Sequence, residues 1–256
     1  MQDLKIALLQ FDQAWEKRQD NWAIVEGMLD GANAVDVFVF PEMFDTGFSM
    51  NTSLAEEWGE GNSSINFLKK ISKKYQSAIY TSVMCRDGLR FVNRGVFVRP
   101  DGEINIYDKR KSFGMGGEDQ HYQSGSLESI VSYKGWNINL QICYDLRFPE
   151  LSRNRIERNG PAYDVLIYVA NWPEKRIEHW KVLLKARAIE NQCFVIGVNR
   201  IGEDGNKYNY SGDSLIFNAL GTALIQPNCV SQVMYSALNH KELVEVRTTL
   251  PFLKDR

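Results

Sequence analysis

A chain of 256 residues with a formal net charge of −2 is long enough to bury a substantial core. Its 30 basic and 32 acidic residues are spread along the whole length, which argues against nucleic acid or an anionic membrane surface as a partner. Four widely separated cysteines without an export signal, and no apolar run near the roughly 18 residues of a membrane span, predict a soluble cytoplasmic protein with free thiols.

Apolar strand-like runs alternate with amphipathic segments along the chain, which is typical of an α/β protein. The predicted strands are 4–9, 35–40, 78–83, 91–98, 104–107, 127–132, 136–142, 165–169, 193–198 and 214–217. The predicted helices are 21–29, 63–74, 149–157 and 178–190.

Two of the strand connections are too short for a helical crossover. Asp101-Gly102 and Lys134-Gly135 are predicted to be tight turns between neighbouring strands, so the sheets are expected to be mixed rather than purely parallel. No linker, repeat or break in composition divides the chain. We therefore expect a single domain over residues 1–256, with a C-terminal tail from about residue 240.

Cys143 is the first candidate for chemistry. It follows the predicted strand 136–142 and precedes Phe148-Pro149, a pair typical of the first turn of a helix. Active sites of α/β proteins lie at the carboxyl ends of strands, and the dipole of a following helix lowers the pKa of a thiol. The alternative is a buried packing cysteine, the commonest fate of a free thiol. The other cysteines lack this setting: Cys85, Cys193 and Cys229.

A nucleophilic thiol needs a base, and the histidines that usually serve cysteine hydrolases are poorly placed here. His121 lies in a polar loop, His179 opens a predicted helix and His240 is near the tail. Glu42 directly follows an apolar strand closed by Pro41, so its carboxylate is expected to be partly desolvated, as a general base requires. The alternative for Glu42 is a solvated loop carboxylate.

Lys109 follows a third predicted strand, 104–107. A lysine at the end of a strand is usually a surface group that keeps its ammonium in water. Beside a thiol and a carboxylate, it would instead stabilise a developing oxyanion. Each of the three candidates follows a different predicted strand: Glu42, Lys109 and Cys143. None is persuasive alone, but together they indicate a catalytic site.

Three strings at these positions resemble the carbon–nitrogen hydrolase (nitrilase) superfamily, and the resemblance runs from residue 5 to about residue 223. The strings are Phe40-Pro41-Glu42-Met43-Phe44, Tyr107-Asp108-Lys109-Arg110 and Ile142-Cys143-Tyr144-Asp145-Leu146-Arg147-Phe148-Pro149-Glu150. Each is weak alone, but three in this order and spacing are strong evidence. The resemblance implies an αββα four-layer sandwich with two mixed β-sheets, usually a homodimer, that needs no metal or organic cofactor.

Carried over residue by residue, the resemblance makes Glu42 the base, Lys109 the family's lysine and Cys143 the nucleophile. The family's second glutamate matches Glu118, ahead of a loop that ends in Gly125. Between Lys109 and Glu118 the chain departs from the family pattern. Many members carry a histidine two residues after the lysine, where this chain has Lys111 followed by the unusual 114–117 segment, Gly-Met-Gly-Gly.

A narrower resemblance is to the omega-amidase branch, whose members hydrolyse the distal amide of short 2-oxo dicarboxylate monoamides such as 2-oxoglutaramate and 2-oxosuccinamate. It is carried by Ala170-Asn171-Trp172-Pro173, His179-Trp180, Ala186-Arg187-Ala188-Ile189-Glu190-Asn191-Gln192, Gly197-Val198-Asn199-Arg200 and Tyr210-Ser211-Gly212-Asp213-Ser214. The implied reaction is acyl transfer through a thioester on Cys143, with Lys109 and the backbone N–H of Tyr144 holding the oxyanion.

Three alternatives stay open at this point. Another branch of the superfamily would act on an N-carbamoyl compound, an aliphatic amide or a nitrile. A non-catalytic scaffold would keep the fold, although the intact set of Glu42, Lys109 and Cys143 argues against it. A cysteine-dependent thiol peroxidase would leave the acid–base partners unexplained.

An omega-amidase must also hold the carboxylate at the far end of its substrate. Arg147, at the start of the helix predicted from Phe148-Pro149, would add a guanidinium to the N–H groups of a helix N-terminus, and both favour an anion. The alternative is that Arg147 pairs with Asp145 or Glu150 to stabilise the turn. Arg176 is the second candidate for the carboxylate, and Trp172 is expected to form an apolar wall.

Overall fold

The computed structural model describes residues 2–158 and 160–256. Within these residues the chain forms five α-helices and sixteen strands. The helices are α1 (Arg18–Leu29), α2 (Ser63–Tyr75), α3 (Glu118–His121), α4 (Ile177–Asn191) and α5 (His240–Thr249). The strands are β1 (Leu4–Gln10), β2 (Val37–Val39), β3 (Glu56–Glu57), β4 (Ala78–Asp87), β5 (Arg90–Val98), β6 (Ile104–Asp108), β7 (Ile130–Tyr133), β8 (Trp136–Ile142), β9 (Ile156–Glu157), β10 (Gly160–Pro161), β11 (Val165–Ala170), β12 (Phe194–Asn199), β13 (Ile201–Glu203), β14 (Asn209–Ser211), β15 (Leu215–Phe217) and β16 (Gln232–Leu238).

Two large sheets are the frame of the molecule, and both are mixed. The first has the order β16-β1-β2-β4-β5-β6, with β3 paired to β4; β1, β2 and β4 run parallel, and the edges are antiparallel. The second has the order β15-β12-β11-β8-β7, with a parallel centre of β8, β11 and β12. The prediction of mixed sheets is confirmed.

The side chains of β1 show how the layers form. Leu4, Ile6 and Leu8 pack in the core between the two sheets, whereas Ala7 and Leu9 pack in the core beneath α1 and α2. Because successive side chains of a strand point to opposite faces, a strand covered on both faces is apolar at nearly every position. The second sheet is covered on its outer face by α4 and α5, so the αββα sandwich is confirmed.

The predicted turns are also found where the sequence places them. Lys134 and Gly135 have φ 49° and 87°, the left-handed conformation that a two-residue hairpin turn requires. Gly102 has φ 89° in a longer turn, where its N–H donates to the carbonyl oxygen of Arg99 at 2.9 Å. These turns join β5 to β6 and β7 to β8 as antiparallel neighbours.

The helix predicted over 149–157 is wrong. Only a 3₁₀ turn, Pro149–Leu151, forms there, and residues 156–157 pair as β9 with β10. The buried side chain of Asn154 explains the difference, because its amide donates to the carbonyl oxygens of Tyr163 and Asn191, each at 3.0 Å. An asparagine that bonds to distant backbone in this way competes with helix formation.

The end of the chain, predicted to be a tail from about residue 240, contributes a helix, α5, and the strand before it, β16, completes the first sheet. β16 pairs with β1 over seven residues, and α5 places Leu243 and Val246 in the core between the layers. Neither element is among those predicted from the sequence. The residues of β16 alternate between buried and exposed only weakly, so they give a weak strand pattern.

Among the residues that the structure describes, no helix combines the length and apolar character needed to cross a membrane.

Candidate active site

The predicted catalytic side chains meet because the ends of strands from both sheets point to the same region. Glu42 lies three residues after β2, and Lys109 directly follows β6, so the first sheet supplies both. Cys143 directly follows β8 of the second sheet. The sandwich therefore brings together residues that are up to about a hundred positions apart in the chain.

Glu42, Lys109 and Glu118 form one buried ionic cluster, with side chains between 0% and 2% exposed. The ammonium of Lys109 donates to Glu42 Oε1 at 2.8 Å and to both oxygens of Glu118 at 2.9 and 2.8 Å. Burial disfavours the charged ammonium, but the negative charges of Glu118 and Glu42 outweigh it and raise the pKa of Lys109. Burial also raises the pKa of Glu118, against the effect of Lys109.

Asn93 holds the two carboxylates together, and the sequence analysis missed it. Its amide nitrogen donates to Glu42 Oε1 at 2.8 Å and to Glu118 Oε1 at 3.2 Å. Like charges at such close range repel, and a shared donor offsets part of that repulsion. The signal available in the sequence was a polar side chain inside β5, a strand whose residues are otherwise mostly buried.

The second oxygen of Glu42 has a different environment. Glu42 Oε2 accepts from the backbone N–H of Asn171 at 2.9 Å. The carbonyl oxygen of the same Asn171 lies 3.9 Å from Cys143 Sγ, close enough to accept from the thiol. Oε1 is already taken by Lys109 and Asn93, so Oε2 is the oxygen that can accept a further proton.

Cys143 adopts a strained backbone conformation at the start of a five-residue 3₁₀ turn, Cys143–Arg147, with φ 43°. Asp145 stabilises this turn. Its Oδ2 accepts from the N–H of Ile142 at 3.0 Å and from the hydroxyl of Tyr107 at 2.8 Å, and its Oδ1 accepts from the N–H of Lys111 at 2.9 Å. Burial raises the pKa of Asp145 to about 6 despite these bonds.

The expectation that a helix dipole lowers the pKa of Cys143 is wrong. A 3₁₀ turn replaces the α-helix, and burial together with the charge of Glu42 raises the pKa of the thiol, although Lys109 opposes them. A protonated thiol that faces a carboxylate needs that carboxylate as a base at the moment of attack.

A pocket of about 540 Å³ opens over Cys143. Its walls include the four residues that are expected to contact the substrate: Tyr144, Arg147, Trp172 and Arg176. Phe48, Phe113, Met115 and Tyr210 supply apolar surface. Glu42, Lys109 and Glu118 are not part of this lining. They are buried behind Cys143, whose thiol lines the pocket.

The family model for carbon–nitrogen hydrolases matches residues 5–248. The chain belongs to this family. It is 41% identical over 257 residues to an omega-amidase, YafV, of Yersinia enterocolitica, covering all of this chain and 97% of the relative. It is 32% identical to a 2-oxoglutaramate amidase of Bacillus subtilis, covering 98% of this chain and 96% of the relative.

A solved structure of the same superfamily is similar along the whole chain. It is that of XC1258 from Xanthomonas campestris, a protein with an arsenic adduct in its active site, at 36% identity and a TM-score of 0.97, covering all of this chain and 98% of that one. The predicted family resemblance is thus confirmed, and it extends about 25 residues beyond residue 223, into α5.

In this carbon–nitrogen hydrolase, neither Arg147 nor Arg176 pairs with a carboxylate within residues 2–158 and 160–256. The expected alternative partners of Arg147 are engaged elsewhere: Asp145 stabilises the turn, and Glu150 lies 4.0 Å from Lys111. Arg147 also ends the 3₁₀ turn instead of beginning an α-helix, so the predicted contribution of a helix N-terminus is wrong. Burial and the nearby charge of Arg176 lower the pKa of Arg147.

Trp172 lies beneath the first of these arginines. The guanidinium carbon of Arg147 is 4.7 Å from the centre of the indole ring, within cation–π range, and the ring is almost fully buried. The indole N–H donates to the carbonyl oxygen of Arg176 at 2.8 Å. The tryptophan is thus a rigid platform for one arginine and is bonded to the backbone of the other.

Proposed function

We propose that this hydrolase cleaves the distal amide of a small 2-oxo dicarboxylate monoamide, such as 2-oxoglutaramate or 2-oxosuccinamate, to the dicarboxylate and ammonia. The observation that carries the proposal is the presence of Arg147 and Arg176, without carboxylate partners among the described residues, in the pocket that opens over Cys143. Two such cations favour a substrate with an anionic end. The names of the Yersinia and Bacillus relatives support the same substrate class.

In the first half of the reaction, Cys143 Sγ attacks the amide carbonyl carbon while Glu42 Oε2 takes the thiol proton. The C–S bond forms and the carbonyl π electrons move to oxygen, where Lys109 and the backbone N–H of Tyr144 stabilise the negative charge. Glu42 then gives the proton to the amide nitrogen, the C–N bond breaks and ammonia leaves. A thioester on Cys143 remains.

In the second half, water hydrolyses the thioester. Glu42 takes a proton from the water as its oxygen attacks the thioester carbonyl, and the C–S bond breaks as the proton returns to Cys143. Glu118 keeps Lys109 charged and in place through its two hydrogen bonds. Nothing in this sequence of steps requires a metal or an organic cofactor.

We also propose a domain organisation, a location and an oligomeric state for the protein. We take the sandwich to be one domain that includes the C-terminal segment, because β16 completes the first sheet and α5 covers the second. A cytoplasmic location and a homodimer are proposed from the cysteine pattern and the habit of the family.

The proposal is tested by ammonia release from 2-oxoglutaramate, glutamine, an N-carbamoyl amino acid, a nitrile and an uncharged amide of similar length. We expect 2-oxoglutaramate to have the highest kcat/KM, and Cys143→Ala to release no ammonia. Arg147→Met removes charge-assisted hydrogen bonds, so KM for 2-oxoglutaramate should rise about 10- to 100-fold. Arg147→Lys keeps the positive charge but loses the two-pronged guanidinium. Its KM for 2-oxoglutaramate should lie between those of the wild type and Arg147→Met.

The uncharged amide is the matched control, because its KM should change less than about twofold in the same variants. Equal losses for charged and uncharged amides would assign Arg147 to structure and move the search to Arg176→Met. A higher kcat/KM for the N-carbamoyl compound or the nitrile would overturn the proposed substrate class while leaving the acyl-transfer chemistry in place.

A further inference from the structure

His179 lies against the guanidinium of Arg147, although the sequence analysis found no role for it. It is on the first turn of α4, and its ring nitrogen Nδ1 lies 3.3 Å from both Nη1 and Nη2 of the arginine. These contacts join two segments that are 32 residues apart in the chain.

The equal distances define which edge of the guanidinium is used. An acceptor that is equally far from Nη1 and Nη2 faces the end-on edge, where one hydrogen of each nitrogen points in the same direction. A guanidinium has a second two-hydrogen edge, formed by Nε and the neighbouring Nη. No acceptor contacts Arg147 Nε within the part of the chain that the structure describes, so this second edge is available.

The contact is a hydrogen bond when Nδ1 is the acceptor. A guanidinium only donates, so Nδ1 must then carry the lone pair and the ring hydrogen must be on Nε2. The face of the guanidinium is supported separately by Trp172, at 4.7 Å. One residue therefore sets the plane of the arginine, and the other sets its rotation within that plane.

We infer that His179 is a positioning residue of the carboxylate subsite: it holds the end-on edge of Arg147 and so presents the Nε–Nη edge to the carboxylate of the substrate. The inference rests on the proposed function, because it assumes that Arg147 binds that carboxylate. It explains how Arg147, which has no acidic partner among the described residues, keeps one orientation before the substrate arrives. Preorganisation of this kind raises affinity by removing the cost of ordering a flexible side chain on binding.

The test compares His179→Ala with His179→Asn. In His179→Ala the guanidinium must be ordered by the substrate itself, so KM for 2-oxoglutaramate should rise about 3- to 10-fold while kcat changes less than about twofold. In His179→Asn the side-chain oxygen reaches nearly the position of Nδ1, and most of the affinity should return. KM for the uncharged amide should not change in either variant.

A double-mutant cycle separates positioning from general structure. In an Arg147→Met background, His179→Ala should cause no further rise in KM, because the residue through which it acts is absent. A further rise, an equal effect on the uncharged amide or an unchanged KM in the single variant would each overturn the inference. A fall in KM would also overturn it, by showing that His179 competes with the substrate for the end-on edge.

The same data keep the two hypotheses apart. If another compound of the panel has a higher kcat/KM than 2-oxoglutaramate, the proposed function fails. If 2-oxoglutaramate is preferred but Arg147→Met leaves its KM unchanged, the proposed function stands, the search moves to Arg176 and the inference about His179 fails. If Arg147→Met raises KM and His179→Ala does not, the proposed function stands and only the role of His179 is wrong.

Discussion

The acidity of the Cys143 thiol is set by groups that lie far from it in the chain. Burial and the charge of Glu42 raise its pKa, and the ammonium of Lys109 offsets them only in part. Thiolate therefore forms only at a pH above the usual range of a cysteine, and below it the thiol stays protonated. An enzyme with such a thiol depends on proton transfer to a base during attack rather than on a preformed thiolate.

Replacing Glu42 by Gln should lower turnover and, at the same time, make the thiol of Cys143 more acidic. Loss of a general base costs about 10² to 10⁴ in kcat. Loss of the negative charge should lower the pKa of Cys143, so its alkylation by iodoacetamide should begin at lower pH than in the wild type. The measurement is the pH dependence of Cys143 labelling by peptide mass spectrometry in a Cys229→Ser background, since Cys229 is exposed whereas Cys85 and Cys193 are buried.

Cys143→Ala in the same background gives the baseline for labelling at other sites. A Glu42→Gln protein that retains more than about a tenth of the activity would require a different base. A labelling profile that moves to higher pH would contradict the electrostatic account of the thiol.

The contact between α4 and β12 shows how closely the elements of the second sheet are packed. Gly197 in β12 faces Leu184 and Trp180 of α4, and a Cβ at this glycine would lie 2.7 Å from Cζ2 of the tryptophan and closer still to Leu184. Trp180 cannot easily move away, because its indole N–H donates to the carbonyl oxygen of Asp213 at 3.0 Å. The helix that carries His179 thus depends on a strand residue without a side chain.

Gly197→Ala should therefore reduce the free energy of unfolding by about 1–3 kcal/mol, the usual cost of overpacking a core. Gly27→Ala is the matched control, because Gly27 lies in α1 with open space around its Cα and should gain about 0.5–1 kcal/mol from the better helix former. Chemical denaturation of both variants makes the comparison. Equal stability of the two would show that α4 can shift to accept the added methyl group.

The sandwich as a whole is closed by its C-terminal segment. Arg247 of α5 donates to a carboxylate oxygen of Asp164 at 2.6 Å, to the carbonyl oxygen of Gln192 at 2.8 Å and to that of Tyr163 at 2.8 Å. One guanidinium thus joins α5 to the end of α4 and to the segment before β11. These are the contacts that make the last residues part of the fold.

Arg247→Met keeps most of the aliphatic stem but removes three hydrogen bonds, of which the one to Asp164 is also an ion pair. We expect the free energy of unfolding to fall by about 2–4 kcal/mol, because Asp164 loses its cation. The exposed Lys254→Met is the control and should change stability by less than about 0.5 kcal/mol. Thermal unfolding of the two variants checks the prediction, and equal melting temperatures would show that α5 is held by its apolar contacts alone.

Local patterns in the sequence were enough to predict most of the two sheets. The bounds 136–142 of β8 are those predicted, and β4, β5 and β12 differ from prediction mainly at their ends. Apolar runs and turn residues such as Gly102 and Gly135 act over a few positions, so they can be read without knowing the fold. The motifs around Glu42, Lys109 and Cys143 are also short continuous segments, so they identified the family without knowledge of the fold.

The predictions that are wrong concern positions where a residue distant in the chain determines the local structure or the pKa. Asn154 bonds to residues 9 and 37 positions away and prevents the helix predicted over 149–157. The thiol of Cys143 is less acidic than its position suggested, because Glu42 lies beside it and a 3₁₀ turn follows it. Asn93 and His179 look like ordinary residues until the sandwich places them against Glu118 and Arg147. The sequence by itself determined most strands of the two large sheets, the hairpin turns and the family, because those signals are local. Only the tertiary structure decided the charges, the hydrogen-bond partners and the orientation of the site, because these depend on distances between segments that the two sheets bring together.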